Sequence, residues 1–153
     1  MPEKGFKETW DIVEEPFYIF VAWSVASIIL NANNILSAAI LGIINWVVML
    51  GAFGYIGYAV VKRDGTPGYA AKTGAYAGLF IGLASTVLSI ASFYLVPGIY
   101  AETIERLAVQ GVSQQAAESM LQAGLYANII FAPAILAAVG AALSSLSAWF
   151  FRK

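Results

Sequence analysis

Three stretches of this chain contain no Asp, Glu, Lys or Arg: Pro16 to Val61, Thr73 to Ala101, and Ser119 to Phe151. A helix needs roughly 20 predominantly apolar residues to cross the hydrocarbon core of a bilayer. The second and third stretches each fit one crossing. The first is too long for one helix and long enough for two, so four spans is the simplest total. Composition agrees. Of 153 residues, 60% are hydrophobic and 11% charged, where an ordinary soluble domain is about 25% charged. Mean hydropathy is +0.77.

The expected fold class is therefore all-α: a polytopic membrane protein built as a four-transmembrane-helix bundle, with an N-terminal interfacial helix and a short extracytoplasmic helical cap. Residues 1–153 form a single membrane domain. The spans fall at about 16–31, 34–61, 71–96 and 125–151. Ahead of them, Phe6, Trp10, Val13 and Phe17 recur at helical spacing among Lys7, Glu8, Asp11, Glu14 and Glu15. Residues 5–15 thus read as an amphipathic helix lying flat at the interface, or as a solvated N-terminus. Pro16 suits the first position of span one, where a missing N–H costs nothing. The acidic residues before the first apolar run do not suit a cleaved signal peptide.

The segment Leu30-Asn31-Ala32-Asn33-Asn34-Ile35-Leu36 reads as a tight turn between spans one and two. Asn tolerates turn geometry and hydrogen-bonds its own backbone, and one helix running through it would be far too long for the bilayer. Lys62 to Gly68 is a second turn, by charge, Gly and Pro together. Span three ends at Val96-Pro97-Gly98. Between spans three and four, 101–110 and 113–123 read as short helices separated by Gly111, with Ser113 as an N-cap. They form either a cap over one end of the bundle or continuations of the neighbouring spans.

With four spans, Lys4, Lys7, Lys62, Arg63, Lys72, Arg152 and Lys153 share one side, and Arg106 lies alone on the other. Orientation follows positive charge. The expectation is a multi-pass protein of the cell membrane with both termini cytoplasmic and 97–124 extracytoplasmic. Tyr58, Tyr69 and Trp149 then lie near the inner interface, and Tyr94, Tyr100 and Tyr126 near the outer one.

Span three carries Gly74, Gly78 and Gly82 at intervals of four. Span two carries Gly51, Gly54 and Gly57, and span four carries Gly140 and Ser144, at matching depth. Small residues at this spacing let helix backbones approach closely. The same glycines could serve packing within one chain or contact with another. The run Lys72-Thr-Gly74-Ala-Tyr-Ala-Gly78-Leu-Phe-Ile-Gly82-Leu, preceded by a Gly-rich helix and a short basic turn, resembles small uncharacterised multi-spanning membrane proteins of archaea and bacteria with a glycine-zipper helix. The resemblance covers about residues 50–92. It implies a small integral membrane protein and carries over no catalytic or binding residue.

Asn45 is the one asparagine expected deep in a span, pointing into the bundle. Ser24, Ser85 and Thr86 fall at similar depth and could hydrogen-bond it, as structural glue or as one wall of a polar pathway that Ser89 would extend. Pro133 removes a helical hydrogen bond in span four, giving a static kink or a hinge. Glu102 and Arg106 make an i,i+4 pair. The chain has no His and no Cys, and the only Lys, Arg, Asp or Glu within the spans is Lys72 at the start of the third. No nucleophile has a base, and no acidic cluster completes a metal site. No catalytic residue, metal or cofactor is expected, and no nucleic-acid partner, because there is no basic stripe.

The leading expectation is a non-enzymatic integral membrane protein acting through helix–helix association, as a subunit, scaffold or homo-oligomer. Its partners would be membrane lipids and a second copy or another membrane protein. The alternative is a small channel or transporter for water, an ion or a neutral solute. A weaker one is lipid handling or membrane shaping.

Overall fold

The computed structural model describes residues 5–95 and 98–152, without the side chains of Ala38, Leu95 and Ile99. Lys4, Lys153 and the Val96-Pro97 end assigned to span three lie outside the described residues. The chain forms five helices: α1 (Phe6–Ala32), α2 (Ala38–Lys62), α3 (Pro67–Leu95), α4 (Ile99–Val109) and α5 (Gln114–Phe151). There is no strand among the described residues. Helices α1, α2, α3 and α5 are each long and apolar enough to cross a membrane, which fits a multi-pass membrane protein.

Local chemistry explains where the helices stop. At the end of α1, Asn34 sits at φ +53°. Its N–H bonds the Asn31 carbonyl, and the Ile35 N–H bonds the Leu30 carbonyl. These two bonds satisfy carbonyls the helix would otherwise leave open, the Schellman arrangement. The same pattern ends α2, where Asp64 at φ +58° precedes a Gly65 N–H bonded to Val60. It ends α4 as well, with Gly111 at φ +84° and Val112 bonded to Leu107. The following helices start on hydroxyl caps. Ser37 accepts from the Ile40 N–H, Thr66 from Tyr69, and Ser113 from Ala116. Pro67 then takes the first position of α3, where its missing N–H is harmless.

Several expected boundaries move. No break occurs at Pro16, which lies inside a continuous α1. The reason is the stripe Ile12, Val13, Pro16 and Phe20, all buried. One continuous helix buries it whole, and this outweighs the hydrogen bond lost at the proline. Trp10 packs edge-on against Phe80 at 5.3 Å, and the Thr9 hydroxyl lies 3.2 Å from that of Tyr69. Residues 5–15 are therefore docked on α3 rather than set apart. Helix α2 starts at Ala38 instead of 34, because Asn33 to Ser37 are spent on the cap and turn. The expected second cap helix is simply the start of α5. Gly124 falls within α5 and does not interrupt it. At 1.5 Å per residue the 38 residues of α5 extend about 57 Å.

Helices α1 and α3 run one way, α2 and α5 the other. The most extensive contact is between α3 and α5. The end carrying Lys62, Arg63, Lys72 and Arg152 is here called the basic end; the opposite one is the asparagine end. The largest fully buried side chains, Val13, Phe53, Ile56, Val60, Thr73, Ile81 and Ser144, gather toward the basic half. Toward the asparagine end a groove opens between α1, α2 and α3.

Candidate functional site

Two constellations of small and polar residues were legible in the sequence, and the structure separates them. The first is the glycine seam. A methyl group on Gly74 would fall within 3.0 Å of the Gly140 carbonyl, one on Gly78 within that distance of the Leu136 carbonyl, and one on Gly82 within it of the Pro133 backbone. Gly57 meets the Ser144 carbonyl in the same way. Backbone therefore rests directly on backbone, which is how helices gain contact in a solvent that gives no hydrophobic drive. Hydrogen bonds reinforce the seam. The buried Ser144 hydroxyl donates to the Phe53 carbonyl at 3.0 Å, and Ser147 to the Gly54 carbonyl at 2.7 Å. Pro133 is buried against Gly82. Ser147 was missed in the sequence; its spacing with Ser144 and Ala148 was the available signal.

Gly51 and Gly54 depart from this pattern. No heavy atom lies within 4 Å of where a side chain on either would begin. Helix α2 turns Phe53, Ile56 and Gly57 toward the interior, and Gly51 lies on another side of it. It borders a shallow groove between α1 and α2.

The second constellation is a groove of about 300 Å³ toward the asparagine end. Ser24 and Ser27 of α1, Asn45 of α2, and Ser85, Ser89 and Ser92 of α3 line it together. Asn45 shares this groove with residues of α1 and α3 and is exposed in it; its amide makes no hydrogen bond among the described residues, so the expected bond to Ser24, Ser85 or Thr86 is not formed. Asn45 also lies only about 10 Å from the start of α2, because that helix begins at Ala38.

Three of the five groove serines bond their own helices instead of Asn45. Ser24 donates to Phe20, Ser27 to Ser24, and Ser92 to Ser89, at 2.8–2.9 Å. This is the usual habit of a serine inside a helix. Each keeps oxygen lone pairs free toward the groove. Thr86 is not part of this group. It is buried, with its hydroxyl 2.9 Å from the Gly82 carbonyl and 3.3 Å from that of Asn128 on α5. It belongs to the glycine seam, in the turn that Pro133 weakens. Ser27 and Gly42 are groove residues that sequence reasoning missed; Ser24, Ser27 and Ile28 share one helical face. Glu102 and Arg106 form their ion pair on the exposed surface of α4.

No family model, curated protein or solved structure matches this chain. The resemblance of residues 50–92 rests on the sequence pattern alone.

Proposed function

We propose that this chain is a non-enzymatic integral membrane protein whose work is association within the bilayer, and that a second copy completes the groove at Asn45. The bundle sits in the cell membrane with both termini cytoplasmic. Lys7, Lys62, Arg63, Lys72 and Arg152 at the basic end, against Arg106 alone at the other, support that orientation. Helix α4 and the first turns of α5 then form the extracytoplasmic cap.

One observation carries the reading: an exposed amide with no hydrogen-bond partner beside five serines on helices that fit the hydrocarbon region. An amide facing hydrocarbon is costly until it is hydrogen-bonded. Two Asn45 amides facing each other across a two-fold axis supply donors and acceptors to both. Each interhelical bond of this kind contributes about 0.6 kcal/mol on average, and roughly 1–2 at most. The glycine seam is occupied within the chain and is not the association surface. Mild extraction followed by native mass spectrometry tests the reading. A dimer or higher oligomer supports it; a monomer at every lipid load sinks it.

The second reading is a pathway for water or a small neutral solute. The groove favours it through six neutral polar side chains and no ionisable one among its lining. It predicts solute flux in liposomes that Asn45→Leu abolishes.

A further inference from the structure

The groove beside Gly51 is chemically different from the one at Asn45. It has a volume of about 260 Å³ and lies between α1 and α2. Ile19, Val48, Gly51 and Ala52 make it apolar along its length. Only Glu15 and Tyr55 bring polar side chains, and they do so together: the Tyr55 hydroxyl donates to Glu15 Oε2 at 3.1 Å.

The polar pair is at one end. Along α1, Glu15 is one turn nearer the basic end than Ile19, about 6 Å. Along α2, Tyr55 is about 10 Å nearer that end than Val48. The groove thus runs from a polar rim near the basic end to an apolar interior deeper among the spans, the polarity profile of a single lipid. Its floor is open, since a side chain at Gly51 would meet nothing within 4 Å.

The rim also selects by charge. Glu15 is exposed, and no cationic side chain is paired with it among the described residues. Tyr55 uses one of its oxygens, and a carboxylate can accept several hydrogen bonds. Glu8, Asp11 and Glu14 stand on the same helix, toward the same end. Lys7 of α1 and Arg63, whose charge acts on Tyr55, share that end, so the preference for a cation rests on the Glu15 carboxylate itself. An ammonium with N–H donors satisfies the remaining carboxylate oxygen by a charge-assisted bond, which a quaternary ammonium cannot do.

We propose that this groove binds a phospholipid with a primary-amine headgroup from the leaflet at the basic end, its ammonium on Glu15 and a stretch of one acyl chain over Gly51. The test uses purified full-length protein, stripped of lipid and then exposed to dioleoyl phosphatidylethanolamine, phosphatidylcholine or phosphatidylglycerol, with retention read by native mass spectrometry. Wild type is expected to retain the ethanolamine lipid at least tenfold better than either of the others. Glu15→Gln, which keeps an acceptor for Tyr55, should bring ethanolamine down to the choline level. Gly51→Leu starts from a Cβ position with nothing within 4 Å, projects into the groove, and should reduce retention at least tenfold while helical circular dichroism is unchanged. Equal retention of ethanolamine and choline lipids by wild type, a preference for the glycerol lipid, or wild-type retention by either variant would overturn the proposal.

Discussion

Gly74 of α3 and Gly140 of α5 face each other so closely that a methyl group on either would collide with the carbonyl oxygen of the other. The relationship is reciprocal, so neither helix can accept a side chain there without moving the other. It places the glycine pattern of α3 in contacts within the chain.

Substitution along α2 and α3 should therefore split cleanly. Gly74→Ala and Gly78→Ala already place a Cβ into backbone, and overpacking of this kind costs about 1–3 kcal/mol or more. Gly51→Ala and Gly54→Ala place a Cβ where nothing lies within 4 Å and should leave stability nearly unchanged. Thermal melts of the four variants in one detergent check this. Equal losses across all four would contradict the assignment of the seam.

The hydroxyl bonds between α2 and α5 are open to the same measurement. Ser144→Ala leaves the Phe53 carbonyl without its interhelical donor, and Ser147→Ala does the same to Gly54. Each should cost about 0.6–2 kcal/mol. Ser92→Ala removes a bond within one helix and should cost less than either. The comparison needs only the order of the three melting temperatures.

Helix ends give a third prediction. Asn34 and Asp64 hold positive φ without being glycine. Asn34→Val should destabilise by about 1–2 kcal/mol, the penalty for a branched side chain in the left-handed region. Asp64→Gly removes the Cβ penalty at that position and should be neutral or stabilising. Chemical denaturation in micelles distinguishes the two signs.

How far the sequence could be read depended on the kind of physics involved. Charge-free runs report on length, and length against bilayer thickness sets the number of long helices; hence the four helices long and apolar enough to span. The turn at Asn31 to Asn34 was legible because asparagine's tolerance of positive φ is a local property. Pro16 misled for the opposite reason. A proline near a composition change reads as a helix start, yet tertiary burial of Ile12, Val13 and Phe20 carries α1 through it. The glycines of α3 were legible as a packing face, while Gly51 and Gly54 were not distinguishable from Gly57. Which side of α2 meets α5 is decided by three helices at once. Asn45 was legible as the polar residue of interest, but its missing hydrogen bond was not. Depth follows from counting residues once the start of α2 is known, whereas a bond depends on which serines bond their own helices.

The central claim is that two copies meet at Asn45, and cysteine trapping tests it most directly. The chain contains no cysteine, so Asn45→Cys creates a single thiol. Ile43→Cys and Val47→Cys supply controls on exposed positions of the same helix. Mild oxidation in native membranes should yield a covalent dimer from the position-45 variant and little from the other two. A monomer at position 45, or equal dimer yields at all three positions, would contradict the account.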